Sequence, residues 1–96
     1  MCYALDLRTC EIRYFDDAIA LDYFVTMMKE NLSFGKWEKM GELTKEQLTE
    51  VYDRCEILDE SSNTILRTTT SDSTKAVLLA GLERRKKVKE LILLKL

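Results

Sequence analysis

The first fifteen residues, MCYALDLRTCEIRYF, alternate apolar and polar side chains with a period of two. Successive side chains on a strand point to opposite faces, so this pattern predicts a β-hairpin with one apolar face. With Thr9 and Cys10 at the tip, Leu7 faces Ile12 and Leu5 faces Tyr14 on that side. Arg8 then faces Glu11 and Asp6 faces Arg13 on the other, and opposite charges in register support the pairing. Thr-Cys lacks the Gly or Asn that a two-residue turn favours, so a longer or bulged loop is the alternative.

Downstream, the apolar residues recur at helical spacing. Asp16 or Asp17 caps a helix over AIALDYFVTMMKEN, whose Leu21, Phe24, Val25 and Met28 form a stripe suited to cover the hairpin's apolar face. NLSFGKWEKMG, residues 31–41, reads as a connector anchored by Phe34, Trp37 and Met40, with Trp37 more suited to burial than to display. In LTKEQL, Thr44 and Gln47 make a capping box and Leu43 with Leu48 a hydrophobic staple. The helix that follows turns Leu48, Val51, Tyr52 and Cys55 inward and is expected to end near Glu56, before the polar DESSN. TILRTTT, residues 64–70, is rich in β-branched side chains and predicts a short strand or an extended link. Ser71, Asp72 or Ser73 then caps a helix that runs to the end of the chain. Its first half, with Val77, Leu78, Leu79, Ala80 and Leu82, is expected to be buried. Residues 73–95 would span about 34 Å, more than so small a core is wide, so the last turns are expected to overhang. The expected architecture is α+β: one domain, residues 1–96, with an N-terminal β-hairpin packed against three helices, the last one long and C-terminal.

Catalytic signals are sparse. The chain has no histidine, which removes the commonest general base and metal ligand. The Gly35, Gly41 and Gly81 positions make no phosphate-binding loop, and no nucleophile-elbow or dinucleotide motif occurs. Asp16 with Asp17 and Asp59 with Glu60 are adjacent pairs that point apart on regular structure, which makes poor chelates. Cys2, Cys10 and Cys55 form no C-x-x-C motif; without a secretory segment they read as reduced thiols of a cytoplasmic protein. No catalytic residue, cofactor or metal is therefore expected.

Charge is unevenly spread. Residues 1–60 carry 14 acidic and 7 basic side chains, residues 61–96 carry 3 and 8, so the two parts stand at −7 and +5. The positive part culminates in ERRKKVKELILLKL, residues 83–96. Four apolar residues in a row, 91–94, cannot all face one core from a helix, and several leucines left in water would form an association site. Arg84, Arg85, Lys86, Lys87, Lys89, Leu91, Ile92 and Leu94 are accordingly the candidate partner-binding residues, for a host protein or for a second copy meeting the C-terminal helix. A nucleic-acid regulator using Arg67, Lys75, Arg84 and Arg85 is the rival, although the short polar residues that read base edges are missing after Thr74. A membrane partner is not expected, because the apolar patch is short and has no aromatic anchor. The same cations also complement a helix C-terminus and the acidic first 60 residues, which requires no partner at all.

LTKEQLTEVYDR followed by NTILRTTTSDSTKAVLLAGLE resembles a small module found in proteins of phages and mobile elements. The module has a helix with an L-x-x-x-Y pattern, here Leu48 to Tyr52, then an extended basic–aromatic stretch, then a helix opening near a polar cluster and ending in a leucine face. Asp53 stands where such modules carry Asn, and Thr68 where they carry an aromatic. The resemblance implies an accessory protein that binds host macromolecules, inhibiting or retuning a defence or regulatory complex, with no catalytic residue to carry over.

Overall fold

The computed structural model describes residues 2–31 and 35–96. Strands β1 (Tyr3–Asp6) and β2 (Ile12–Tyr14) form the hairpin, helix α1 (Ala18–Glu30) follows, and β3 (Trp37–Lys39) returns to the sheet. A single 3-10 turn, Met40–Glu42, leads into two long helices, α2 (Lys45–Thr68) and α3 (Asp72–Lys95). The sheet is antiparallel with order β2-β1-β3, and the α+β class, with its N-terminal hairpin and long terminal helix, is as the sequence predicts.

The register of the hairpin differs from the predicted one by two residues. Tyr3 faces Tyr14, Ala4 faces Arg13 and Leu5 faces Ile12, and residues 7–10 form a longer loop. Asp6 causes the shift. Its buried Oδ1 accepts hydrogen bonds from the backbone N–H of Arg8 at 2.8 Å, Thr9 at 3.4 Å and Lys36 at 3.1 Å. It therefore folds the loop around its own carboxylate and ties it to β3 instead of pairing with Arg13. Cys10 closes the loop at φ 61°, and a shift of two leaves every side chain on its predicted face.

That sheet has two covered faces. Ala4 and Trp37 pack with Leu21 and Val25 of α1, with Phe15, Phe24 and Met28 around them. Leu5, with Tyr3 and Ile12, packs instead on Leu48, Val51 and Cys55 of α2 and Val88 and Ile92 of α3. The helix predicted to cover the apolar face of the hairpin thus lies on the opposite face. The reason is Trp37: as a strand residue, buried and edge-on to Phe24 at 5.1 Å, it makes that second face apolar enough to hold α1. Phe34, the other anchor expected in the connector, lies outside the described residues.

Capping chemistry is as predicted: Asp17 accepts from the Ala20 N–H at 2.7 Å, the Thr44–Gln47 box is reciprocal, and Ser71 caps α3. The end of α2 is not. Instead of stopping near Glu56 it continues through DESSN and the predicted strand at 64–70, to Thr68. Partners on α3 hold the polar stretch in helical form, as described below, and Thr64 and Thr68 satisfy their hydroxyls on the carbonyls of Glu60 and Ile65. A consequence is that α2 and α3 make an antiparallel pair whose connecting end projects beyond the sheet. The molecule is 44 Å long and 28 Å by 23 Å across. The overhang is therefore at the start of α3 and not in its last turns, and Val77, Leu79 and Ala80, expected to be buried, are exposed.

Candidate functional site

Helix α3 carries two stripes at heptad spacing. The inner one, Leu78, Gly81, Arg85, Val88, Ile92 and Lys95, faces α2 and the sheet; Gly81, Val88 and Ile92 are buried and the other three half-buried. Alternating steps of three and four residues keep such a row on one side of a helix, the geometry of a packed helix pair. Gly81 has a specific use here. Side chains on a helix lean toward its N-terminus, and the Arg85 guanidinium lies back over Gly81, where an added Cβ would sit 3.1 Å from it.

From that position Arg85 donates to Asp59 Oδ1 at 2.6 Å and to the Ser62 hydroxyl at 2.9 Å, and Lys89 donates to Asp59 Oδ2 at 2.7 Å and to Glu56 at 3.3 Å. Burial pushes the Asp59 carboxyl up, but the hydrogen bonds and charges of Lys89 and Arg85 outweigh it and hold the group below its ordinary range. The hydrogen bond from Asp59 outweighs desolvation at Lys89 and holds that ammonium above its ordinary range. This cluster is what the polar DESSN stretch is for: Asp59 and Ser62 face α3 and are matched there.

Two of the predicted partner-binding cations are thus committed internally, and a third predicted contact is lost to the core. Arg85 and Lys89 are ion-paired to α2, and Ile92 is fully buried between the helices and the sheet. Leu91 is half-buried, whereas Leu93 and Leu94 are 56% and 78% exposed. The run of four apolar residues splits as a helix requires. Arg84, Lys86 and Lys87 are exposed, and among the described residues none of them has an ion-pair partner.

The second stripe is outward. Val77, Ala80, Arg84, Lys87, Leu91 and Leu94 again follow steps of three and four, so they line one side of α3, displaced from the inner stripe by one residue, a little over a quarter of a turn. Val77 is 69% exposed, Ala80, Arg84, Lys87 and Leu94 are exposed, and Leu91 is half-exposed. Two apolar ends flank a doubly positive centre. The sequence holds this stripe as plainly as the inner one. It is hidden in a basic run because Arg84, Arg85, Lys86 and Lys87 look alike in one dimension and take different directions in three.

The cations offered for nucleic acid do not converge. Arg67 lies in the last turn of α2 and Lys75 in the first turns of α3, at the projecting end, while Arg85 points into the helix pair and Arg84 lies on the outer stripe. Elsewhere, a concavity of about 320 Å³ beside the hairpin loop is lined by Arg8, Lys36, Gln47, Glu50 and Arg54, a set with a single carboxylate. Arg54 there donates to the Leu7 carbonyl. Among the described residues, no three of the Cys, Asp or Glu side chains gather as a metal-binding group, and no helix is long and apolar enough to cross a membrane. Compared with models of protein families, with characterised proteins and with solved structures, the chain and its fold match none.

Proposed function

We propose that this chain is a non-enzymatic binding protein that lays the outer stripe of α3 into an acidic groove on a partner protein. The observation that carries this reading is the row Val77, Ala80, Arg84, Lys87, Leu91 and Leu94, exposed except for the half-buried Leu91, beside the inner stripe of α3 that packs on α2 and the sheet. An amphipathic helix docks through anchors at this spacing. Exposed apolar ends supply the burial, and a doubly positive centre selects the partner by charge.

A second copy of the chain suits this face poorly. Antiparallel pairing of two such stripes sets Val77 against Leu94 and Ala80 against Leu91, but also Arg84 against Lys87, twice. Like charges in contact select against that pairing, so the favoured partner is a different protein with carboxylates at mid-groove. Occupying a surface of a host defence or regulatory complex, the role implied by the resemblance to phage and mobile-element modules, needs nothing beyond such a face. The setting we infer is the cytoplasm, where unpaired thiols such as Cys2, Cys10 and Cys55 persist.

The test is affinity capture from host extract with the tagged chain, followed by titration calorimetry on the acidic protein retained. Arg84→Glu with Lys87→Glu is expected to weaken binding by about 100-fold or more, and Leu94→Ser by roughly tenfold, at unchanged helix content, because exposed positions contribute little to stability. Equal retention of the same protein by the double variant would overturn the reading. Retention of arbitrary duplex DNA that falls steeply with salt would move the function to nucleic acid.

A further inference from the structure

The hairpin loop ends on an unusual residue. Cys10 is held at φ 61°, a left-handed conformation that costs a non-glycine residue about 1–2 kcal/mol. The position nevertheless turns the thiol inward, leaving Cys10 only 1% exposed. Its Sγ approaches the backbone oxygen of Val51 at 3.8 Å. Val51 lies one helical turn before Cys55, and the side chain of Cys55 leans back toward that turn. Cys55 is itself 0% exposed, in the same apolar cluster.

We propose that Cys10 and Cys55 are an oxidisable pair, and that a small peroxide converts them to a disulfide that latches the hairpin loop onto α2. The two thiols lie in one buried cluster, and of the two Cys10 is the more acidic, lowered by interaction with Cys55 and by Arg54 against the opposing effect of burial. The same interaction, with burial, pushes Cys55 up, so the chemistry starts at Cys10. The Cys10 thiolate attacks one peroxide oxygen, the O–O bond breaks and hydroxide leaves, giving a sulfenic acid. The Cys55 sulfur then attacks Cys10 Sγ, the S–O bond breaks, and the departing hydroxide takes the Cys55 proton as water. Two thiols lose two electrons and one hydrogen peroxide becomes two waters. Cys2, half-exposed and one residue before β1, is not needed. Access is through opening of residues 7–10, a loop held at Leu7 by Lys36 and Arg54 and beyond it by Asp6.

The experiment treats the folded full-length chain with hydrogen peroxide well below its unfolding temperature, then denatures and alkylates it. The expected product takes one alkyl group instead of three, yields a peptide linking Cys10 to Cys55, and unfolds at least about 10 °C higher, because the crosslink closes a long loop. Dithiothreitol returns all three thiols. Cys2→Ser is expected to form the same link, and Cys55→Ser to form none and gain no thermal stability. Three alkylatable thiols after treatment, a link that includes Cys2, or irreversible sulfinic acid at Cys10 would each overturn the proposal.

Discussion

Replacing Asp6 by alanine is expected to remove about 3 kcal/mol of folding stability, read as a lower midpoint in a urea titration. The carboxylate is 2% exposed and accepts from three backbone N–H groups, two of them at good length. Without it those donors lie at least partly out of water with nothing to bond, and each orphaned donor costs about 1–3 kcal/mol. The loss is expected to fall on the whole fold, because Asp6 joins the loop to β3 as well as to itself. Asn at this position keeps an acceptor where Oδ1 sits and is expected to recover more than half of the loss. If Asn and Ala behave alike, the charge and not the acceptor geometry is what the loop requires. Gly35 tests the same contact from the other side. It has φ 94°, and a Cβ there would overlap the Asp6 carboxylate outright. Gly35→Ala combines left-handed strain with displacement of the acceptor, and is expected to destabilise by about as much as Asp6→Ala.

Asp6 also marks where the sequence stops being legible. Alternation over residues 3–14 assigns each side chain to a face, and it does so correctly because a slip of two preserves faces. It does not set the register, which depends on a side chain bonding to Lys36, thirty residues away. The caps at Asp17, Thr44 and Ser71 are local chemistry and can be read locally. β3 is three residues long, too short for a period to show. DESSN reads as a helix end because Asp, Ser and Asn have low intrinsic helix propensity, and only the matching Arg85 and Lys89 on α3 reverse that preference. The basic run shows the same limit at the candidate site. Sequence reasoning finds the cations and the terminal leucines, and helical phase alone separates Arg84 and Lys87 from Arg85, and Leu94 from Ile92. What the phase could not supply is the side that α2 occupies, and this decides which stripe stays uncovered.

Asp59→Ala is expected to cost about 2–3 kcal/mol at neutral pH, and the cost is expected to shrink in acid. The side chains of Asp59 and Arg85 are 13% and 12% exposed. Removing one member of a fully buried pair costs about 3–5 kcal/mol, because the remaining charge loses its partner, and residual solvent reduces that here. The pH dependence follows from the direction of the shifts. Asp59 is held below its ordinary 3.8, so its contribution is complete above that value and is lost as pH falls through the lower, folded value. Lys89 is held above its ordinary 10.5, so its contribution is complete below that value and is lost as pH rises further. The wild type and Asp59→Ala should therefore differ by a constant amount across neutral pH and converge only in acid, as pH falls below 3.8 and through the lowered carboxyl. A difference that stays constant into acid would mean that packing and not charge carries the effect. Combining Asp59→Ala with Arg85→Leu is expected to cost less than the sum of the two, since the second change removes the stranded cation. Hydrogen exchange should localise the damage. Residues 60–68 of α2 have α3 as their main support, and beyond Ser62 and Gly81 the described side chains there are half-buried at most. With Asp59 gone, their amides are expected to exchange faster while those of 48–55, seated on the sheet, keep their protection relative to global unfolding. The projecting end of the helix pair would then fray independently, and Val77 and Ala80 with it. Arg84, Lys87, Leu91 and Leu94 would remain in place over the sheet, so the same variant measures how much of the docking stripe the partner needs.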